Sequence, residues 1–262
     1  MASLFRYWFC LIVIFCLCRK AEAQESYYDD RSGVEVFFPS SINIFPRIWS
    51  GKNVGPDISP VPSEEVIRLQ DLLSHAFLKY PLDLLTSNLD RVYVVKSMKF
   101  YGLPYGGTNY HQTIYLCDDT DNPYFSDEYI EQVFHHEFSS ILIRNFSVRF
   151  DRTKWLALNP PSFRYGKGGA EAISQGTSSM ILDPEMMKRG FLSEYSTASL
   201  EEDINVFAQN LFTGSRDFWS AVGLNDIIRE KTLLLISFYH KVNPVFTETY
   251  FRSFYYNSTA QR

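Results

Sequence analysis

The sequence predicts an α+β fold, in which a small group of strands comes early along the chain and most of the helices follow. Two observations carry this prediction. Runs rich in β-branched and aromatic residues lie before residue 118, whereas longer segments with apolar residues at helical spacing occupy most of the chain after residue 126. Because strands and helices do not alternate, a doubly wound parallel sheet is not expected.

The first 23 residues predict a signal peptide. An apolar run follows Arg6, and Ala21-Glu22-Ala23 provides small residues at the spacing of a cleavage site before Gln24. The apolar run is too short for a typical membrane span, although an uncleaved N-terminal anchor is the alternative. We therefore expect a mature chain without a membrane span that is exported to the periplasm, the cell surface or the surrounding medium.

The composition of the mature chain does not favour some classes of partner. The whole chain carries a net charge of −5, and the leader is basic, so the mature protein is acidic. An acidic protein does not favour nucleic acid or an anionic membrane surface as a partner. Of the four cysteines only Cys117 lies outside the leader, so no internal disulfide is expected, and its apolar neighbours predict a buried thiol.

Residues 24–60 and 61–262 are predicted to differ in organisation. Proline and glycine interrupt the first segment, which predicts a loop-rich N-terminal arm, although the run VEVFF within it has the weak alternation of a strand. Residues 61–262 are long enough to form one domain with a substantial core. In that domain Ser63 is expected to begin a helix that ends at Pro81.

Two strands and a turn are predicted between this helix and residue 118. The run RVYVVKSMKFYG predicts one strand of about ten residues, and TIYLC at 113–117 predicts a second strand. Between them LPYGGTNY predicts a turn, in which Gly106 and Gly107 are free to adopt positive φ.

A long amphipathic helix is predicted to begin after Ser126, whose side chain can cap it. Its apolar face comprises Ile130, Val133, Phe134, Phe138, Ile141 and Leu142. His136 and Ser140 are one turn apart at the edge of this face, with Glu137 beside them. His135 projects about 100° away from His136, so the two histidines cannot bind one metal ion from this helix.

The C-terminal part is predicted to be mostly helical. Residues 146–198 have an irregular pattern, although their aromatic side chains indicate that the segment packs. A helix is predicted to begin at Ser199, and a further helix is predicted over residues 217–243, ending before Pro244.

The run VFHHEFSS matches part of the H-E-x-x-H motif of zinc peptidases. That motif needs two histidines four residues apart, so that both reach one zinc ion, and a glutamate that polarises the zinc-bound water. His136 and Glu137 occupy the first two positions, but Ser140 stands where the second histidine belongs. The alternative is that His136 and Glu137 are polar residues at the rim of a core helix.

A second group of candidate residues lies at the start of the later helix. Glu202 follows Tyr195 by seven residues, in the run EYSTASLEEDINVFA. Ser199 and Glu202 also form the S-x-x-E pattern of a capping box, in which the Glu202 carboxylate would bond back to the Ser199 amide. The local sequence leaves capping and metal binding open for Glu202.

These motifs resemble those of gluzincin-type zinc peptidases, in particular the lethal-factor-like branch, whose third zinc ligand is a glutamate preceded at this interval by a tyrosine. More closely, the chain is similar to the zinc-binding metallopeptidases of exported bacterial proteins, some of which are named substrate import-associated zinc metallohydrolase lipoproteins. The resemblance extends over residues 93–251 and includes TIYLC, HHEF, the W-x3-NP-x2-F-x-Y run at 155–165 and SLEEDINVFA.

The resemblance implies a zincin-like domain, in which a small mixed sheet packs on an active-site helix and a mostly helical part follows. It implies that His136 is the first zinc ligand, Glu137 the general base and Glu202 the third ligand. It also implies that Tyr195 stabilises the oxyanion. Ser140 fills the second ligand position, where a neutral hydroxyl is a poor zinc ligand.

Two functions are consistent with these residues. The first is an exported zinc-dependent peptidase, a hydrolase of extended polypeptide, whose activity is weakened because Ser140 replaces a ligand. The second is an inactive pseudo-peptidase that binds peptide or another polymer without a metal. His111 is a candidate replacement ligand or else a surface residue, and the family name alone suggests a surface import system as a partner.

Overall fold

The computed structural model describes residues 25–260, which form a mixed α/β structure with two small sheets and a larger helical part. The strands are β1 (Glu25–Tyr28), β2 (Glu35–Phe38), β3 (Asp57–Ser59), β4 (Arg91–Val95), β5 (Ser97–Phe100), β6 (Leu103–Tyr105), β7 (Gly107–Tyr110) and β8 (Thr113–Cys117). The helices are α1 (Val66–Phe77), α2 (Leu82–Asn88), α3 (Asp127–Asn145), α4 (Arg152–Ala157), α5 (Gly169–Gln175), α6 (Pro184–Lys188), α7 (Leu200–Thr213), α8 (Arg216–Leu224), α9 (Asp226–Val242) and α10 (Glu248–Ala260). The predicted mixture of small sheets and helices is confirmed.

The larger sheet has five strands in the order β1-β2-β4-β8-β7. Strands β2, β4 and β8 are parallel and lie in the middle, whereas β1 and β7 are antiparallel to their neighbours at the two edges. The smaller sheet is antiparallel, in the order β3-β5-β6. Helix α3 packs against β7 and β8, so the edge strand β7 lies beside the helix that carries the candidate residues.

The loop-rich segment predicted at 24–60 supplies strands to both sheets. β2 pairs with β4, which confirms the strand predicted in VEVFF, and β3 pairs with β5. Val36 and Phe38 are buried in the main core, because alternate side chains of β2 face it. The signal peptide predicted over residues 1–23 lies outside the described residues.

The run RVYVVKSMKFYG forms two strands, and the prediction of one continuous strand is wrong. β4 ends at Val95 and β5 begins at Ser97, and the two belong to different sheets. At the crossing point the Lys96 amide donates to the Ser59 carbonyl oxygen over 2.8 Å. Periodicity cannot reveal this change of sheet, because apolar residues continue on both sides of the junction and no glycine or proline separates β4 from β5.

Gly106 and Gly107 allow close packing, and the prediction that LPYGGTNY is a turn is wrong, because most of this run forms β6 and β7. They lie at the junction of β6 and β7, and neither is among the glycines with positive φ. A side chain at Gly106 would collide with the Tyr129 hydroxyl, and one at Gly107 would collide with Val133. Both partners belong to α3, so the glycines allow the edge strand to lie directly against that helix.

The two helices that carry the predicted site begin where the sequence indicates. Helix α3 follows Ser126, whose hydroxyl accepts a hydrogen bond from the Tyr129 amide over 3.2 Å. Helix α7 follows Ser199, whose hydroxyl accepts from the Glu202 amide over 3.1 Å. The helices pack along each other, and their apolar faces form part of the main core.

The part after residue 146 is mostly helical, but its helices are divided differently from the prediction. Residues 146–198 contain the three short helices α4, α5 and α6. The helix predicted over residues 217–243 is interrupted at Asn225, whose side chain accepts from the Ile228 amide over 3.0 Å and caps α9. Cys117 is buried, as expected. Across residues 25–260 no helix combines the length and the apolar character that crossing a membrane requires.

Replacing Gly107 with alanine should destabilise the fold. The added methyl group would meet Val133 and would lie 3.3 Å from the Tyr115 carbonyl oxygen, which is part of the central sheet. We expect a loss of about 1–3 kcal/mol in the free energy of unfolding, measured by urea denaturation. The control is Gly223→Ala on α8, where the added methyl meets nothing and should be neutral or stabilising by up to about 1 kcal/mol. Equal effects in the two variants would contradict the close approach of β7 and α3.

Candidate functional site

Helices α3 and α7 bring His136 and Glu202 into direct contact. The Nε2 atom of His136 lies 2.8 Å from Oε2 of Glu202. The other ring nitrogen, Nδ1, lies 2.9 Å from Oε1 of Gln209, two turns further along α7. His136 is only 5% exposed. The imidazole is therefore buried and held at both nitrogens by side chains of one helix.

The charge of Glu202 keeps His136 protonated. Burial alone would lower the pKa of the imidazole, but the hydrogen bond to Glu202 and the negative charge of that carboxylate raise the pKa to about 9. In the protonated ring both nitrogens donate, and they face acceptor oxygens on Glu202 and Gln209. The contact is thus an ion pair between α3 and α7. A zinc ligand, in contrast, must present an unprotonated nitrogen.

Glu202 combines the two roles that its sequence leaves open. Its backbone amide donates to Ser199 Oγ, which is half of a capping box, while its carboxylate contacts His136. The ring of Tyr195 stacks against His136, with the ring centroids 5.9 Å apart. Burial, and then the charges of Glu202 and Glu137, raise the pKa of Tyr195 above its usual value. The Tyr195 hydroxyl therefore stays protonated, and it donates a hydrogen bond to the Glu202 carboxylate.

Ser140 lies one turn along α3 from His136 and is engaged with a different carboxylate. Its hydroxyl donates a hydrogen bond to Glu201, the residue before Glu202. Ser140 is buried, and its neutral oxygen is a poor zinc ligand. Position 140 therefore provides a second polar link between α3 and α7.

The donor set does not fit a zinc ion. A zinc site needs at least three protein donors of nitrogen, sulfur or carboxylate type. His136 and Glu202 provide two, and they are already paired with each other. His111 lies near the end of α3, where its carbonyl oxygen accepts from Arg144 over 3.1 Å. Within the described part of the chain, no group of three or more His, Cys, Asp or Glu side chains is arranged to hold a metal ion.

Glu137 projects from α3 towards the edge strand. Asn109 on β7 donates a hydrogen bond from Nδ2 to Oε2 of Glu137 over 2.7 Å. Burial raises the pKa of the Glu137 carboxyl to about 7, against the lowering effects of His136 and Asn109, and the charges of Glu202 and Glu201 raise it further. This carboxyl group therefore changes charge near neutral pH.

A cavity of about 240 Å³ opens beside this cluster. Its wall includes His136, Glu137 and Tyr195, together with Tyr105 at the end of β6 and Met180. Three of the predicted residues therefore line one cavity, and Glu202 is bonded directly to the first of them. The arrangement can accept and donate hydrogen bonds at the edge of the sheet.

A second buried ion pair fixes the first turn of α7. Nζ of Lys231 on α9 lies 2.8 Å from Oδ2 of Asp203, and both side chains are fully buried. The same oxygen accepts hydrogen bonds from Trp155 over 2.9 Å and from Tyr165 over 2.7 Å. The aromatic run singled out in the sequence therefore anchors its segment to α7.

Two residues of the site are not predicted from the sequence. Gln209 holds Nδ1 of His136, and Asn109 orients Glu137. Gln209 is buried in α7, and its position among apolar residues in the sequence is the one feature that could have indicated a role in the site. Asn109 gives no signal, because it lies in the run predicted to be a turn.

Comparison of the chain with protein-family models, with curated proteins and with solved structures finds no match in any of the three. The family resemblance therefore rests on the sequence motifs alone. The residues of the site and their geometry are the basis for assigning a function.

The ion pair should make stability depend on pH in a specific way. The pKa of His136 is raised from 6.5 to about 9 on folding, so the stability that it contributes is complete below pH 6.5 and is lost as the pH rises towards 9. The difference in free energy of unfolding between wild type and His136→Gln should therefore shrink over this interval, as measured by urea denaturation. A difference that grows with pH would contradict a protonated His136.

Proposed function

We propose that this protein is a pseudo-peptidase, a zincin-like domain that binds an extended polypeptide and does not hydrolyse it. The single observation that carries this proposal is the 2.8 Å contact between Nε2 of His136 and Oε2 of Glu202. The nitrogen that would bind the metal ion in the zinc-peptidase motif instead faces the Glu202 carboxylate, whose charge and hydrogen bond raise the pKa of His136. In this proposal the ion pair between His136 and Glu202 joins α3 to α7, as a shared metal ion would in a zinc peptidase.

The relation between the elements supports a zincin-like domain. The helix with the His136-Glu137 pair lies against the edge strand of a mixed sheet, and Glu202 comes from a later helix that packs on it. Tyr195 stacks on the same histidine. These relations agree with what the sequence resemblance implies for the residues that are retained.

The open edge of β7 supports polypeptide as the ligand. The Cys117 amide donates to the Gly106 carbonyl oxygen over 2.8 Å. Because hydrogen-bonded pairs alternate along an antiparallel ladder, the backbone groups of Gly107 and Asn109 are directed away from β8. An extended polypeptide can add to such an edge as a further strand.

The chemistry of the site argues against hydrolysis. Peptidases of the H-E-x-x-H type need a water molecule that is activated by the metal ion, and the donor set here does not fit that ion. Glu137 and Tyr195 remain beside the cavity, where they can form hydrogen bonds with a bound chain. In this proposal Glu137 and Tyr195, which correspond to the general base and the oxyanion donor of the peptidases, contact the bound polypeptide instead of catalysing its hydrolysis.

Export is proposed from the leader sequence alone. Residues 1–23 have the pattern of a signal peptide, with an apolar run and a small-residue cleavage site. An association with a surface import system rests only on the family resemblance.

Zinc should not stabilise the wild-type protein, but it should stabilise Ser140→His. The new imidazole would lie one helical turn from His136 and would complete a set of two histidines and Glu202. A ligand that binds only the folded state stabilises it, by about 2.7 kcal/mol at a hundred times its Kd. The measurement is the melting temperature as zinc is titrated. Ser140→Gln is the matched control, because its side chain is also large and polar but is a poor zinc ligand.

Equal stabilisation of wild type and Ser140→His by zinc would contradict the proposal, since another residue would then complete a metal site. Zinc-dependent hydrolysis of unfolded casein by the wild type, abolished in Glu137→Gln, would support the peptidase alternative. If zinc stabilised neither protein, the pseudo-peptidase and a chance match to the motif would be the surviving explanations.

A further inference from the structure

We propose that the cavity beside Glu137 selects a basic side chain, lysine or arginine, of the bound polypeptide. This inference deepens the proposed function and rests on it. The cavity lies between α3 and the junction of β6 and β7, at the Gly107 end of the edge strand. Its volume of about 240 Å³ is below the range of about 300–1,000 Å³ that is typical for whole small-molecule ligands. A single long side chain is the ligand that suits this size.

The charged groups at the cavity favour a cation. Glu137 and Asp119 both line it, and among the described residues that line it there is no lysine or arginine. His136 also lines it, but Glu202 balances that charge over 2.8 Å. An acidic side chain would therefore be repelled, and an apolar side chain would exclude water from the carboxylates without supplying a counter-charge. A basic side chain supplies both a counter-charge and hydrogen-bond donors.

Aromatic rings complete the wall of the cavity. Tyr105, Phe125 and Tyr129 all line it, and the ring centroids of Phe125 and Tyr129 lie 4.8 Å apart. Aromatic faces attract ammonium and guanidinium groups, and they also pack against the methylene stem of a long basic side chain. The carboxylates and the aromatic rings together thus suit both the charged end group and the methylene stem of a lysine or arginine side chain.

The edge strand directs a ligand side chain into this cavity. Gly106 and Gly107 have no side chains, so a chain that adds to β7 can approach closely. The missing Cβ of Gly107 would point to Val133 and Glu137 on α3. A ligand residue paired with Gly107 projects to the same face of the sheet, and therefore towards the Glu137 carboxylate that Asn109 holds in place.

A second cavity, further along α3, has a different charge. It has a volume of about 530 Å³, and Arg144, Arg152 and Glu201 line it beside Ser140. Its two guanidinium groups disfavour a basic side chain. We therefore expect the preference for a basic residue at one position of the bound chain and not along its whole length.

The test uses four pools of fluorescein-labelled ten-residue peptides that differ only in one fixed central residue: lysine, arginine, norleucine or glutamate. The other positions are random mixtures of alanine, serine, threonine, valine and glutamine, so that no other charged side chain is present. Binding to the mature protein is measured by fluorescence anisotropy. We expect the lysine and arginine pools to bind at least about ten-fold more tightly than the norleucine pool, and the glutamate pool to bind most weakly.

Two variants connect the preference to the cavity. Glu137→Gln should still bind peptide, but its affinity for the lysine pool should fall to its affinity for the norleucine pool. Glu185→Gln is the matched control, because it makes the same substitution at an exposed position on α6 and should leave the preference unchanged. Melting curves of both variants establish that they are folded.

Two failures of this test are distinguishable. Equal binding of all four pools to the wild type, or an unchanged preference in folded Glu137→Gln, would overturn the assignment of the cavity and leave polypeptide binding intact. Binding of none of the pools would overturn polypeptide binding itself, and the cavity assignment with it.

Discussion

The ion pair between His136 and Glu202 is the interaction on which the rest of the site depends. It joins α3, which carries Glu137 against the edge strand, to α7, which packs along it. A buried charge is tolerated only when a counter-charge and hydrogen bonds compensate for lost hydration. Glu202 supplies the charge, and Gln209 supplies the second hydrogen bond. Because both ring nitrogens are engaged by side chains of α7, the buried imidazole joins α3 to α7.

Contacts on two sides of α7 fix the position of Glu202. Glu202 faces α3, whereas the next residue, Asp203, faces α9 and forms a buried pair with Lys231. Trp155 and Tyr165 donate to the same Asp203 oxygen, so the segment between α3 and α7 is tied to this turn as well. Rigid placement lowers the cost of ordering a binding site when a ligand arrives. Fixing this turn therefore also fixes the carboxylate that contacts His136.

Much of the site could be predicted because its signals are local. Ser126 and Ser199 cap the two helices, and helical spacing alone sets His136 on the face that meets α7. Gln209 and Asn109, which complete the site, could not be predicted in this way. Their contacts with His136 and Glu137 form only when the helices and the sheet pack together. The division of one apolar run into β4 and β5, and the need for two glycines before α3, also depend on tertiary contacts that periodicity does not encode.

The most direct test of the ion pair is a double-mutant cycle on His136→Gln and Glu202→Gln, with urea unfolding measured in the presence of a metal chelator. Glutamine keeps a polar side chain of similar length and removes the charge. If the pair forms without a metal, the cycle should give a favourable coupling free energy of at least about 1 kcal/mol in the chelator, unchanged when zinc replaces it. A coupling near zero in the chelator that appears only with zinc would contradict the ion pair, because a metal ion would then mediate the contact.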